Sequence, residues 1–278
     1  MSKVWFVTGA ARGIGAGVVN AALEAGDRVV ATGRNLDTLR HAFPNASPDQ
    51  IAFVPLDVTA EQQTFAAVDA AVERFGRIDV LVNNAGYSLL GNFEELTPAQ
   101  VKRQLDTLFF GVVNVMRAVL PVMRRQRSGH IINVSSLAGA VGFKHCGAYG
   151  AAKFAVEGLS LSVAPEVERF GIKVTIVEPG FFRTGLLDKS SVEWGTNVVD
   201  DYGAAGSVQA EWEPYDGTQQ GDPAKLGAAL VKIAAMDAPP RHFVAGSDAL
   251  AVVIPALEAR VQEIRQYAEL SRSTDGSF

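Results

Sequence analysis

"VWFVTGAARGIG", residues 4–15, joins a short run of bulky apolar residues to three glycines and then to a helical pattern. Four consecutive apolar residues do not alternate between core and solvent, so they read as a strand buried on both faces. Gly9, Gly13 and Gly15 follow in a G-x-x-x-G-x-G spacing rather than a strict G-x-G-x-x-G. A turn of this kind lets the backbone approach a pyrophosphate closely. It also aims the N-terminus of the next helix at the negative charge. The order strand, glycine turn, helix makes a dinucleotide the expected ligand.

The same rhythm continues outward. "RVVATG" (28–33), "IAFVPLDV" (51–58), "IDVLVNNAG" (78–86), "HIINVSS" (130–136), "IKVTIVEPG" (172–180) and "RHFVAG" (241–246) read as further strands. Helices are expected between them over 13–25, around 65–75, over 97–127, 149–170 and 249–270. Phe65, Val68, Val72 and Phe75 share one helical face. "TPAQ" (97–100) has the form of a capping box, and Pro121 and Pro165 are expected to bend the helices that hold them. Continuously apolar strands alternating with helices predict an α/β fold: a doubly wound parallel sheet of the Rossmann type, one domain over residues 1–278, with ligands at the carboxyl ends of the strands. Residues 185–222 break the rhythm. They are rich in Gly, Asp, Ser and Thr, carry Trp194 and Trp212, and read as a lid inserted over the sheet.

Composition narrows the function. The 278 residues are 48% hydrophobic with a net charge of −5, which favours neither a nucleic-acid surface nor a polybasic membrane patch. Cys146 is the single cysteine, so no intramolecular disulfide forms, which suits a reducing compartment. The start of the chain lacks the h-region of a secretory signal, and no run of about 18 apolar residues stands uninterrupted. A soluble, cytoplasmic protein is expected. His41, His130, His145 and His242 are isolated from one another in the sequence, and no metal is expected.

An acidic residue ending the second strand would hold a ribose 2′-hydroxyl. The segment instead reads Ala31, Thr32, Gly33, Arg34. Arg12 and Arg34 suit a 2′-phosphate through charge-assisted forks, so NADP(H) is favoured over NAD(H).

With these motifs in order, the chain resembles the short-chain dehydrogenase/reductase family, strongly over about residues 1–185 and weakly at the seventh strand. Gly9, Arg12, Gly13, Ile14 and Gly15 match its glycine turn, and Asp57 and Val58 its adenine contact. Asn83, Ala85 and Gly86 fall in its N-N-A-G element, and Pro179, Gly180 and Thr184 in its P-G-x-x-x-T element. Ser136 precedes Tyr149-x-x-x-Lys153 by 13 positions, the family interval. The resemblance implies that Tyr149 is the general acid/base and that Lys153 eases phenolate formation and holds the nicotinamide ribose. It implies that Ser136 donates to the substrate oxygen. Positions i and i+4 share a helical face, so Tyr149 and Lys153 point the same way.

One position departs from the family. Its fourth catalytic residue, an Asn, is replaced by Leu108, which has no hydrogen-bonding group to hold a proton-relay water. Asn114 lies off that face. Three readings follow: the relay is served by another group or by waters alone in a working, slower enzyme, the site is specialised, or turnover is lost while dinucleotide binding is kept. On the first reading, Leu108→Asn is expected to raise turnover. The expected substrate pocket comprises Leu89, Leu90, Leu108, Val141, Phe143, His145, Phe182, Leu186 and Trp194, suited to a hydrophobic ketone or secondary alcohol. The expected function is NADP(H)-dependent hydride transfer with a small-molecule carbonyl or alcohol, in a homo-oligomer. The alternatives are an NAD(H)-dependent alcohol dehydrogenase and a dinucleotide-binding regulatory protein.

Overall fold

The computed structural model describes residues 2–189, 191–203 and 206–276; residues 190, 204 and 205 of the expected lid and the last two of the polar tail lie outside them. The first half of the chain runs β1 (Val4–Val7), α1 (Gly13–Glu24), β2 (Arg28–Gly33), α2 (Leu36–Ala42), β3 (Ile51–Pro55), α3 (Glu61–Phe75), β4 (Val80–Asn83) and β5 (Ser88–Leu90). It continues through α4 (Pro98–Leu105), α5 (Gly111–Gln126), β6 (Gly129–Val134), α6 (Leu137–Ala140), α7 (Gly147–Glu168) and β7 (Ile172–Pro179). The remainder is β8 (Val192–Trp194), α8 (Asp200–Gly203), α9 (Val208–Trp212), α10 (Pro223–Ala234), β9 (His242–Ala245), α11 (Ser247–Gln266) and α12 (Ala268–Arg272).

Seven strands form one parallel sheet in the order β3-β2-β1-β4-β6-β7-β9. The chain winds outward from β1 to β3, then returns to lay β4 on the other side of β1. That reversal opens a crevice at the carboxyl ends of β1 and β4. Successive side chains of a strand face opposite sides. Val4 and Phe6 therefore join a core under α3, α5 and α7, while Trp5 and Val7 join the core under α1, α2 and α10. The predicted Rossmann-type fold is the observed one.

Three features differ from expectation. The long helix over 97–127 opens on the expected capping box of Thr97 and Gln100, but its interruption lies at Asp106–Phe110, a π-helical turn, and not at Pro121. The run Pro98–Gln126 is, by length and composition, long and apolar enough to cross a membrane, which the sequence reading did not anticipate. In this fold it places Val115, Val119 and Met123 in the core. The expected lid begins with β8, which pairs in parallel with β5 just beyond the carboxyl end of β4.

Helix α10 was not anticipated, although its signals are ordinary. Asp222 caps it by accepting from the Ala224 and Lys225 amides, and Pro223 occupies the first turn. It crosses α1 where only glycine fits: a Cβ on Gly17 would fall 2.2 Å from the Pro223 carbonyl oxygen, and one on Gly227 2.2 Å from the Gly17 oxygen. Gly227→Ala should therefore separate the two helices and cost about 1–3 kcal/mol. The check is a lowered urea midpoint at unchanged slope; an unshifted midpoint would refute the close crossing.

Candidate active site

The glycine turn follows β1, and Gly9 and Gly13 adopt φ of 62° and 55°, values costly for a residue with a Cβ. Gly9 also packs so close to the end of β4 that a Cβ would lie 2.8 Å from the Ala85 Cα. Arg12 stands at the N-cap of α1, and its side chain makes no capping hydrogen bond to that end. The first-turn amides of α1 thus border the crevice with their donors uncommitted to a cap, the arrangement that takes a phosphate.

On the other side of the crevice β6 ends in Val134 and the chain continues through Ser135 and Ser136. Ser136 caps α6, its Oγ accepting from the Ala138 amide at 3.1 Å. The same hydroxyl is near enough to the Tyr149 phenol to pull its pKa downward. Helix α7 sets Lys153 one turn beyond Tyr149, where its Nζ donates to the Val134 carbonyl at 2.8 Å and stands 5.6 Å from the centre of the Tyr149 ring. Ser136, Tyr149 and Lys153 line one cavity of ≈ 890 Å³.

Their electrostatics differ from the simple expectation. Burial pushes the Tyr149 phenol up to about 12, with the nearby Ser136 hydroxyl working in the opposite direction. Burial likewise pulls Lys153 down to about 8, partly offset by Glu157. Desolvation disfavours both charged forms and outweighs the ammonium's expected help to the phenolate. Tyr149 in this state is a proton donor held neutral.

Most of the sequence-predicted residues converge on this cavity. Gly9, Arg12, Gly13, Ile14, Arg34, Asp57, Val58, Ala85, Gly86, Pro179, Gly180 and Thr184 line it, as do Leu90, Leu108, Phe143, Phe182 and Leu186. Others do not. Gly15 packs beneath the turn, where a Cβ would meet the Gly9 oxygen at 2.3 Å. Asn83 lies inside the sheet, donating to Asn133 Oδ1 at 2.8 Å. Leu89 alternates away from Leu90 and packs with Leu96 and Ala148. Val141 packs with Leu137, Ala249 and Val253, and Trp194 packs behind the cavity wall.

His145 is also outside the cavity. It takes a positive φ of 65°, is buried, and accepts from the Trp212 indole at 3.2 Å. His242, isolated in the sequence, lies 2.8 Å from Glu178, and a ring nitrogen of His242 and carboxyl oxygens of Glu157 and Glu178 lie within 4.8 Å of one another. Sheet neighbours β7 and β9 bring these together, which no sequence spacing reveals.

Leu108 sits on the π-helical turn, 1% exposed, packed among Leu90, Ala138, Cys146, Tyr149 and Ala152. An amide there would lose that packing, and about 1–3 kcal/mol if left unpaired, which opposes the gain expected of Leu108→Asn. Asn114 is occupied elsewhere, donating to the Val58 carbonyl at 3.0 Å.

Sequence reasoning missed several lining residues: Asn35 and Thr38 beside Arg34, and Tyr87, Phe181, Leu187 and Trp212 near Tyr149. Phe181 is adjacent to a recognised motif and was within reach. Trp212 is 63 positions from Tyr149 and arrives only through the fold of the insertion.

Residues 3–193 match the family model for short chain dehydrogenases, and the chain belongs to that family. It is 38% identical over 238 residues, 86% of each chain, to a 3-ketodihydrosphingosine reductase of Bacteroides thetaiotaomicron. A short-chain dehydrogenase structure from Streptomyces avermitilis is 37% identical and covers 99% of this chain and 100% of that one, with a TM-score of 0.91. The structure of ElxO with NADP bound is 28% identical, covering 90% and 100% of the two chains, with a TM-score of 0.75. The protein is thus an oxidoreductase acting on CH–OH donors with a nicotinamide cofactor.

The site fits that cofactor: an uncapped helix end and glycines that admit backbone contact for the pyrophosphate, Asp57 and Val58 at the far wall, and Thr184 and Lys153 at the other. When bound there, the cofactor would supply or accept the hydride. The resemblance to the family implies that Tyr149 would supply the proton to a carbonyl oxygen, that Ser136 would orient that oxygen, and that Lys153 would hold positive charge beside the phenol.

The lowered Lys153 value sets a pH limit. Lys153 is cationic below about 8 and neutral above it. The kcat/KM for reduction, which reports the free enzyme, should therefore fall as pH rises through about 8. Lys153→Met should remove that limb and lower the rate by roughly 10²-fold or more; a limb unchanged in the variant would assign it to another group.

Proposed function

We propose that this protein is an NADP(H)-dependent reductase of hydrophobic ketones, or in reverse a dehydrogenase of the matching secondary alcohols. The observation that carries this reading is the division of the cavity wall. Around the end of β2 the lining is Gly33, Arg34, Asn35 and Thr38. No carboxylate there would repel a 2′-phosphate, and no carboxylate among the described residues pairs with Arg34. Around Tyr149 the wall is Tyr87, Leu90, Leu108, Phe143, Leu187 and Trp212.

The apolar wall continues into an aromatic cluster. Phe181 lies 6.5 Å from Phe143, 6.1 Å from Trp212 and 5.6 Å from Tyr215, ring centre to ring centre. Trp212 and Tyr215 belong to the insertion, so it closes over the substrate end with apolar surface. The name of the Bacteroides relative, a reductase of a ketone on a long-chain lipid base, supports the same substrate class.

The reading extends to a homo-oligomer in a reducing, cytoplasmic setting. Supporting it, Leu250, Ile254, Leu257, Val261 and Ile264 are exposed along α11, and the Cys146 thiol is buried and pushed up to about 12, far from its reactive form.

Initial rates with NADPH and NADH over aliphatic, aromatic and steroid-like ketones test the proposal. NADPH oxidation should exceed NADH oxidation at equal concentration. Arg34→Ala should cut the preference about tenfold or more, and Tyr149→Phe should abolish turnover while leaving NADPH binding. Faster rates with NADH would favour an NAD(H)-dependent alcohol dehydrogenase. Tight NADPH binding with no turnover on any ketone would favour a regulatory role.

A further inference from the structure

One turn beyond Lys153 on α7 stands Glu157, a carboxyl the catalytic scheme does not use and only 8% exposed. Its surroundings are arranged around Gly139 of α6. A Cβ built there would fall 2.4 Å from Ser135 Oγ, 3.1 Å from Lys153 Cβ and 3.2 Å from Glu157 Oε1. Only a residue without a side chain lets the hydroxyl, the lysine stem and the carboxyl share that space. Ser135 Oγ and Glu157 Oε1 are both buried and fall short of hydrogen-bond geometry, although the hydroxyl is near enough to pull the carboxyl's pKa downward. A pair of buried polar atoms in this condition is uncommon in a settled core.

The other carboxyl oxygen leads outward. Glu157 Oε2 lies 3.8 Å from His242 Nδ1, which lies 2.8 Å from Glu178 Oε1. Glu178 is buried, whereas the His242 side chain is 44% exposed. The charged groups facing Glu157 are Lys153 on its own helix, Glu178 on β7 and His242 on β9. Burial is the largest influence and pushes Glu157 up to about 7. Around Tyr149, by contrast, the neighbours Leu90, Leu108, Ala138, Cys146 and Ala152 offer no titratable group at neutral pH.

We propose that Glu157 and His242 form the route by which the Tyr149–Lys153 pair exchanges its proton with solvent. The proposal rests on the oxidoreductase reading above. In reduction, the substrate oxygen takes the phenolic proton of Tyr149, and the phenolate takes one from the Lys153 ammonium. The amine is reprotonated from the Glu157 carboxylic acid, one turn further along α7 and the charged group that acts on Lys153. The Glu157 carboxylate recovers its proton from solvent through the His242 imidazole. One proton enters for each carbonyl reduced, to match the one hydride that the reduced nicotinamide would give up, and the relay groups themselves are returned unchanged. Glu157 acts through Lys153 and is a positioning residue, not one that touches substrate.

Glu157→Gln preserves shape and removes the proton. It should lower kcat at neutral pH about tenfold, enlarge the solvent deuterium isotope effect on kcat, and leave NADPH affinity within twofold. His242→Asn changes a half-exposed side chain and keeps the test open should the first variant fail to fold; its smaller loss should be reversed by added imidazole. Infrared spectra of the cofactor-free protein should show a protonated carboxyl band titrating near neutral pH, absent in Glu157→Gln, with slower hydrogen–deuterium exchange in His242→Asn. Wild-type kcat, pH profile and isotope effect in Glu157→Gln would overturn the route, as would a His242→Asn loss that imidazole does not restore. If the wild-type protein reduces no carbonyl with either cofactor, the functional reading fails alone. The infrared exchange then decides: slowed exchange in His242→Asn supports the route and unslowed exchange overturns it.

Discussion

The site depends on a clamp between the ends of two neighbouring strands. Asn84 Nδ2 donates to the carbonyls of Thr8 and Gly9, each at 3.1 Å, while Thr8 Oγ1 accepts from the Asn84 and Ala85 amides at 2.9 and 3.1 Å. Four hydrogen bonds thus hold the glycine turn after β1 against the segment after β4. The backbones can approach so closely only because Gly9 has no Cβ to meet Ala85. These two strand ends form the floor of the crevice, and they sit side by side because the sheet reverses direction between β1 and β4. A change that loosened the clamp would spread the floor of the cavity without touching any group that handles a proton.

A second polar connection sets the opposite wall. Asn83 donates to Asn133, Asn133 donates to Ser160, each at 2.8 Å, and Ser160 donates to the Val156 carbonyl at 2.6 Å. This buried chain ties β4 to β6 and β6 to α7. Buried polar groups that are paired in this way specify one arrangement, because sliding α7 along the sheet would strand them. Tyr149 and Lys153 lie on the same helix as Ser160, so their positions over the strand ends are fixed by a contact two turns away. Asn83 therefore serves the site as part of the scaffold and not at the cavity surface.

How much of this was legible in the sequence follows from the range of the interactions. The strands, the glycine turn and the Tyr149-x-x-x-Lys153 pair are local, and apolar runs, glycine spacing and the i,i+4 relation state them directly. Leu89 and Leu90 mark the limit of such reading. Both are apolar and adjacent, yet alternation along a short strand sends only Leu90 to the cavity. The Asp106–Phe110 turn carries no proline or glycine inside it, whereas Pro121, the visible breaker, is accommodated within α5. Trp212 and His242 reach their partners through the fold of the insertion and the neighbouring of β7 and β9. Contacts across 64 or 67 positions leave no periodic mark.

Burial gives the three titratable groups on α7 a common character. Tyr149, Lys153 and Glu157 are all shifted first by desolvation, and in each case toward the neutral form. The ordinary values of Lys153 and Glu157 are 10.5 and 4.5, so in water a proton on the amine is held far more tightly than one on the carboxyl. In the protein they stand at about 8 and about 7. Burial thus draws the two proton affinities closer together than they are in water. Tyr149, at about 12, stays the last of the three to lose its proton, which keeps that proton available until the substrate oxygen develops charge. An apolar wall at Leu108 sharpens the Tyr149 shift, because a polar side chain there would admit stabilisation of the phenolate. Leu108 thus offers no hydrogen bond on its side of Tyr149 and at the same time helps keep that phenol neutral.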